Sequence, residues 1–189
     1  MNSVIKPRTG GQILVDAGFI EPGYVDSLLA REKVLFEGHP IAAVAATVGA
    51  HVLVDESTAP EWFTGGARTV GVPSDGPRLL AADLAAHLAS RGTEVPHNPQ
   101  AAALSITQAT EAGLVYRVEE VAALTAVAHA HGLSVHMDGA RFANAVAALG
   151  VTPAAATHRA GVDVLTLGAT KNGCLGVEAI VVFNRSLSP

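Results

Sequence analysis

The sequence predicts an α/β protein whose mainly parallel sheet is covered on both faces by helices. Short apolar runs, each about as long as one buried strand, alternate with segments that have the 3.6-residue periodicity of amphipathic helices. The apolar runs are nearly unbroken, which is typical of parallel strands with both faces buried. Strands and helices in alternation therefore indicate a three-layer α/β architecture.

Composition narrows the class of protein. The chain has 189 residues, of which 49% are hydrophobic and 15% charged, and its net charge of −5 provides no basic surface for nucleic acid. No apolar run approaches the roughly 18 residues that cross a bilayer, and the first eight residues lack the apolar core of a secretory signal. The single Cys174 excludes an internal disulfide and is expected to be a small buried hydrophobe. We therefore expect a cytoplasmic protein with neither nucleic acid nor a membrane as its partner.

The first half of the chain begins with an atypical segment, residues 1–38, that contains an amphipathic helix starting near Pro22. The Ala/Val-rich run 41–48 is predicted to be a buried helix. A short strand is predicted at 67–72. A helix is predicted at 78–91, with Leu80, Leu84 and Leu88 on one stripe.

In the second half of the chain, predicted strands and helices again alternate. Its predicted strands are 103–107, 133–137, 162–167 and a return strand at 180–183. Its predicted helices are 119–131, which Gly132 ends, a second that ends at Leu149, and a short third that Thr152 and Pro153 begin.

Two opposite charges follow two of these strands. Asp138 comes directly after the run 133–137, and Lys171 comes shortly after the run 162–167. In open α/β sheets, ligands bind at the carboxyl ends of the strands. A lysine amine that bonds to an aldehyde, and a carboxylate that keeps a pyridine nitrogen protonated, are the groups that pyridoxal phosphate requires. On position alone, a strand-ending aspartate and a solvated lysine explain the pattern equally well.

Four longer segments surround these residues: AHVLVDESTAPEWFTGGAR at 50–68, LSITQATEAGLVY at 104–116, HMDGARFANAVAALG at 136–150 and AGVDVLTLGATKNG at 160–173. They resemble the low-specificity L-threonine aldolases, a branch of the pyridoxal-phosphate-dependent β-eliminating lyase superfamily. The resemblance covers about residues 40–184. It implies an incomplete aspartate-aminotransferase-like (fold type I) large domain at 39–189 that binds pyridoxal phosphate.

The resemblance also implies roles for the residues that hold the cofactor. Lys171 would carry its aldehyde, Asp138 its ring-nitrogen proton, and Arg141 would bond to the phenolic oxygen of the ring, with Thr170 beside them. The alternative for Arg141, taken alone, is an arginine at a helix start that pairs with a local carboxylate.

The implied reaction is cleavage of L-threonine or L-allo-threonine to glycine and acetaldehyde. His51 would stack on the cofactor ring, and Thr110 and Glu111 would lie near the substrate hydroxyl, so that Lys171, His51 and Glu111 form the catalytic set. Without the resemblance, His51 is a satisfied histidine near a helix start and Glu111 part of an ordinary turn. Members of the family form homo-oligomers with sites shared between subunits, and the sequence leaves the oligomeric state of this chain open.

The sequence departs from the family in two places. No Ser-Gly-Thr type phosphate loop precedes Ile41, and the arginine of a C-terminal small domain, which clamps the substrate carboxylate, has no counterpart in these 189 residues. A catalytically impaired fragment is therefore an alternative. Another is a phosphotransfer or partner-binding module led by residues 10–38, since 14–32 resembles enzyme IIA domains of the sugar phosphotransferase system. The order around His39, the candidate phosphoacceptor, differs from the Ile-Pro-His motif of those domains, and an unrelated amphipathic helix or a fused remnant also explains the segment.

Overall fold

The computed structural model describes residues 42–91 and 99–187, and their strands form one six-stranded sheet in the order β2-β1-β3-β4-β5-β6. The first five strands are mutually parallel and β6 is antiparallel to β5. This arrangement confirms the predicted mainly parallel sheet. The strands are β1 Ala42–Thr47, β2 Arg68–Val72, β3 Gln100–Thr107, β4 Ser134–Asp138, β5 Val164–Gly168 and β6 Glu178–Val182.

Helices connect the strands, as parallel pairing requires. In chain order they are α1 His51–Val54, α2 Ala59–Phe63, α3 Ala81–Arg91, α4 Val118–Ala130, α5 Phe142–Leu149 and α6 Pro153–Ala156, with short 3₁₀ turns at His158–Ala160, Thr170–Asn172 and Arg185–Leu187. No helix within the described ranges has the length and apolarity to span a membrane.

The main core lies between one face of the sheet and the helices α3 to α6. Leu104 and Met137 from the sheet are fully buried there, together with Leu84 from α3 and Leu124 from α4. Because side chains alternate along a strand, the next residues face the other side. On that second face a smaller apolar cluster forms around Val44, Ala67, Ala103 and Val164.

The prediction for the run 41–48 was wrong, because its described part forms strand β1. Alanine favours a helix in isolation, but β1 pairs with β2 on one side and β3 on the other, and four consecutive residues from Ala43 to Ala46 are buried. Small side chains let the neighbouring layers approach both faces of this central strand closely. Tertiary packing therefore outweighs the helix propensity of alanine.

Two smaller predictions, for Leu80 and Cys174, were also wrong, and two others fall outside the described residues. Leu80 precedes α3 and is half exposed, so only Leu84 and Leu88 of the predicted stripe face the core. Cys174 is exposed, because the chain after Lys171 runs along the surface. The predicted helix in residues 1–38 and the candidate phosphoacceptor His39 lie outside the described ranges.

An ion pair at the start of α4 makes stability depend on pH. Arg78 Nη1 lies 2.8 and 3.0 Å from the two carboxylate oxygens of Glu120, which also accepts the Arg117 N–H at 2.7 Å. Partial burial pushes the pKa of Glu120 up, but the Arg117 N–H and the charges of Arg78 and Arg117 outweigh it and hold the pKa below its ordinary value.

Because the folded pKa of Glu120 is depressed, its stabilisation is present above the ordinary pKa and is lost as pH falls through the folded value. We expect Glu120→Gln to lower the free energy of unfolding by about 1 kcal/mol at pH 7. The difference from the unsubstituted chain should shrink below about pH 4. Urea unfolding across this range measures it, with the exposed neighbour substitution Glu119→Gln as the control. A difference that is constant with pH would refute the assignment.

Candidate active site

The ends of three neighbouring strands bring polar side chains together at one edge of the sheet. Asp138 lies between Thr107 of β3 and Thr166 of β5 in the strand register. Two residues earlier on the same face, the buried His136 imidazole joins Ser105 Oγ and Thr166 Oγ1, each at 3.0 Å. Cross-strand side-chain bonds of this kind fix three strands together beneath the Asp138 carboxylate.

The loop after Asp138 is pressed against β5. Asp138 Oδ1 accepts the Ala140 N–H at 2.9 Å, and the Gly139 N–H donates to Thr166 O at 2.7 Å. A Cβ at Gly139 would lie 2.6 Å from Thr166 O and 2.8 Å from Leu165 Cδ1, so glycine is required by close approach and not by its backbone angles. The carboxylate is therefore held by a loop with little freedom to move.

Lys171 lies on the 3₁₀ turn that follows β5, at the same edge as Asp138. Its side chain is exposed, while the next residue, Asn172, is half-buried and turned toward the Asp138 loop. Asn172 Nδ2 donates to Gly139 O at 3.1 Å and to Ala140 O at 3.2 Å. The two strand ends that the sequence singled out are thus tied directly to each other.

The charges of this edge are not neutralised by one another. Within residues 42–91 and 99–187, neither the Lys171 ammonium nor the half-buried Asp138 carboxylate belongs to an ion pair. Arg141 is half-buried at the start of α5 and has no carboxylate partner in the same ranges, so the alternative of a local ion pair for Arg141 finds no partner there. Thr170 is exposed at the start of the lysine turn. Three charges at one edge that lack an ion-pair partner in the described part of the chain are typical of a ligand site.

His51 and Glu111 meet at the neighbouring strand ends of β1 and β3. The backbone N–H of His51, the first residue of α1, donates to Glu111 Oε1 at 2.9 Å. The His51 imidazole lies between two carboxylates, with Nδ1 3.4 Å from Asp55 Oδ2 and Nε2 3.5 Å from Glu56 Oε1. The structure therefore brings these two predicted residues together, with the imidazole partly exposed at the edge.

A buried amide supports the loop that carries Glu111. Gln108 is fully buried, donates through Nε2 to Tyr116 O at 2.9 Å and accepts the Tyr116 N–H at 3.0 Å. Inside the loop, Thr110 Oγ1 accepts the Leu114 N–H at 3.0 Å. Burial raises the pKa of Tyr116 to about 12, so its hydroxyl stays neutral and accepts the Leu79 N–H at 2.7 Å. These bonds hold the loop in one conformation.

Sequence reasoning did not find these supporting residues. No charge or spacing in the sequence marks these residues, and only the structure identifies the groups to which they bond. They are Gln108, Tyr116, His136 and Asn172. The one available signal was their position, since all but Tyr116 lie within two residues of a strand end or a predicted site residue. No group of three or more histidine, cysteine or acidic residues suited to a metal ion occurs within the described ranges.

The mainly parallel six-stranded sheet, with charged residues after its strand ends, matches the large domain of aspartate-aminotransferase-like, fold type I enzymes. The fold resembles that of the Leishmania major threonine aldolase, with a TM-score of 0.73 and 29% identity over 86% of this chain and 46% of that one. A Thermus thermophilus aspartate aminotransferase variant shares the fold alone, with a TM-score of 0.61 and 14% identity over 86% of this chain and 42% of that one.

The chain belongs to the beta-eliminating lyase family, whose model matches residues 27–187. Low specificity L-threonine aldolases from a Pseudomonas species and from Pseudomonas aeruginosa are 45% and 42% identical to it over 146 residues. The match covers 77% of this chain and 42% of each relative, so the chain spans less than half of their length.

Proposed function

We propose that this chain contributes the ring-binding part of a pyridoxal-phosphate site, and that the protein cleaves threonine or allo-threonine to glycine and acetaldehyde. The proposal rests on Lys171 and Asp138, an amine and a carboxylate that have no ion-pair partner among residues 42–91 and 99–187. They follow adjacent parallel strands whose loops bond to each other. The identity of 42–45% with low specificity L-threonine aldolases supports the choice of reaction.

The residues at this edge fit the cofactor chemically. Bound pyridoxal phosphate would withdraw electrons from the substrate bond that breaks and accept the resulting charge. Lys171 would hold its aldehyde carbon, Asp138 would keep a proton on its ring nitrogen, and Arg141 would donate to its ring oxygen. Asp138 suits this role because only one of its oxygens, Oδ1, accepts a hydrogen bond within the described ranges.

His51 and Glu111, at the neighbouring strand ends, would act on the ring face and on the substrate. The His51 imidazole, oriented by Asp55 and Glu56, would pack over the ring and favour a flat conjugated system. Glu111 Oε1 is engaged by the His51 N–H, which leaves Oε2 to take the proton of the substrate β-hydroxyl. The exposed Thr170 would add a hydroxyl donor next to Lys171.

The breakdown of threonine to glycine would place the protein in amino acid catabolism. We further propose a cytoplasmic location and a homo-oligomer. The isologous contacts of symmetric oligomers offer a route by which a second copy could complete a site.

Release of acetaldehyde from threonine by the purified 189-residue chain tests this proposal. We expect release only after pyridoxal phosphate is added and none from Lys171→Ala, because that substitution removes the amine. Asn184→Ala, which alters the opposite edge of the sheet, is the control and should keep the activity of the unsubstituted chain. Release that is equal in Lys171→Ala and the unsubstituted chain would refute the proposed reaction.

A further inference from the structure

A single asparagine side chain connects the lysine turn to the loop that follows Asp138. Besides Gly139 O and Ala140 O, Asn172 Nδ2 donates to Gly168 O at the end of β5, and Asn172 Oδ1 accepts the Ala143 N–H at 2.8 Å. Both N–H groups of the amide are shared among three carbonyl oxygens, and its oxygen accepts one further bond, so donor and acceptor ends of the side chain are both engaged. Only an amide provides donors and an acceptor in this arrangement.

A second asparagine makes the reverse connection. Asn144, in the first turn of α5, donates from Nδ2 to Lys171 O at 3.0 Å. Asn172 reaches from the lysine turn to the Asp138 loop, and Asn144 reaches from the helix after that loop back to Lys171. Asn144 is exposed and Asn172 is half-buried, so neither belongs to the hydrophobic core. Their bonds go to backbone groups of the loop after Asp138, of the start of α5 and of the lysine turn.

We propose that Asn172 and Asn144 are positioning residues that set where the Lys171 amine stands relative to the Asp138 carboxylate. This inference rests on the proposed function. A lysine side chain is long and rotates freely, which already spreads the positions of its amine. A backbone that also moved would widen that spread, so a fixed backbone narrows the positions that the Lys171 amine reaches. Displacements of about 1 Å at a reacting group are enough to lower rates by about a hundredfold. The two amides act on the lysine through its backbone and do not touch the substrate.

The chain provides an internal reference for a test, because it has three lysines, Lys6, Lys33 and Lys171. Pyridoxal phosphate is added to the chain, the lysine adducts are reduced with borohydride, and peptide mass spectrometry gives the modified fraction of each lysine. In the unsubstituted chain we expect Lys171 to be modified preferentially. The ratio of Lys171 to the other two lysines is measured within one molecule, so it does not depend on enzyme activity.

Three substitutions separate positioning from general damage to the fold. Asn172→Asp keeps the acceptor for Ala143 but sets an oxygen against three carbonyls, and we expect it to lower the Lys171 ratio at least about tenfold. Asn144→Ala removes only the bond to Lys171 O and should lower it about fivefold. The matched control is Asn184→Ala, which removes an amide bonded to Asp163 Oδ1 and to Ser186 at the opposite edge and should leave the ratio unchanged.

The outcomes are distinguishable from failure of the proposed function. Preferential modification of Lys171 in the unsubstituted chain, with the same ratio in Asn144→Ala and Asn172→Asp, would overturn the positioning role alone. A loss of the ratio in Asn184→Ala as large as in the other two would also overturn it, since the effect would then be nonspecific. Equal modification of all three lysines in the unsubstituted chain would overturn the proposed cofactor site and this inference with it. Because Asn144 is exposed, its variant keeps the test valid if Asn172→Asp does not fold.

Discussion

Replacing Asp138 with asparagine is expected to lower threonine cleavage by at least about a hundredfold while changing cofactor incorporation only a few fold. The amide keeps the shape of the carboxylate and can still accept the Ala140 N–H, so the loop should stay in place. An amide carries no negative charge, however, and cannot keep a proton on the ring nitrogen. The substitution should therefore lower the rate of threonine cleavage and leave the binding of pyridoxal phosphate nearly unchanged.

The measurement compares acetaldehyde release with the amount of pyridoxal phosphate retained after gel filtration. Asp163→Asn is a suitable control for aspartate chemistry, because Asp163 precedes β5 at the other edge of the sheet and bonds to Val135 N and Asn184. Asp163→Asn should lower the stability of the chain but leave unchanged the ratio of acetaldehyde release to retained pyridoxal phosphate. Equal losses of rate and incorporation in Asp138→Asn would contradict the assigned role of Asp138.

Gly139→Ala is expected to have the largest effect on stability among single-methyl additions at the site. The new Cβ would lie 2.6 Å from Thr166 O and 3.2 Å from Phe142 Cβ, and backbone atoms cannot yield as a flexible side chain can. The loop must move off β5, which also breaks the 2.7 Å bond between Gly139 N and Thr166 O. We expect the free energy of unfolding to fall by about 2 to 3 kcal/mol.

Chemical denaturation measures this loss, and Gly76→Ala is the control. Gly76 is exposed, and an added Cβ there meets no atom within 4 Å, so it should change stability by less than about 0.5 kcal/mol. Because the displaced loop carries Asp138, Gly139→Ala should also weaken cofactor incorporation. A variant as stable as the Gly76→Ala chain would show that the contact between the loop and β5 is looser than described.

The sequence was sufficient to place Asp138 and Lys171 at one edge of the sheet. Both follow runs whose residues are mostly buried, and the carboxyl ends of parallel strands lie on the same side of the sheet whatever the connecting helices do. Strand β1 could not be assigned in the same way, because its alanines satisfy either a helix or a buried strand. The choice was made by its two neighbours, β2 and β3, which are distant in the sequence.

The supporting bonds of the site were beyond sequence reasoning for a related reason. Asn172 bonds to Gly139 across 33 residues, and Glu111 accepts the His51 N–H across 60. Amides and carboxylates form such bonds in many contexts, so their type and spacing do not identify the partner. The partner follows only once the strands have been set side by side.

The central claim is that Lys171 is the amine that receives pyridoxal phosphate at the edge where Asp138 ends β4. The most direct measurement is the visible absorbance that develops when the cofactor is added to the 189-residue chain, compared with Lys171→Ala and with a variant in which Lys6 and Lys33 are both alanine. The account predicts that the band is lost in Lys171→Ala and retained in the double variant. A band that persists in Lys171→Ala, or that disappears with Lys6 and Lys33, would contradict it.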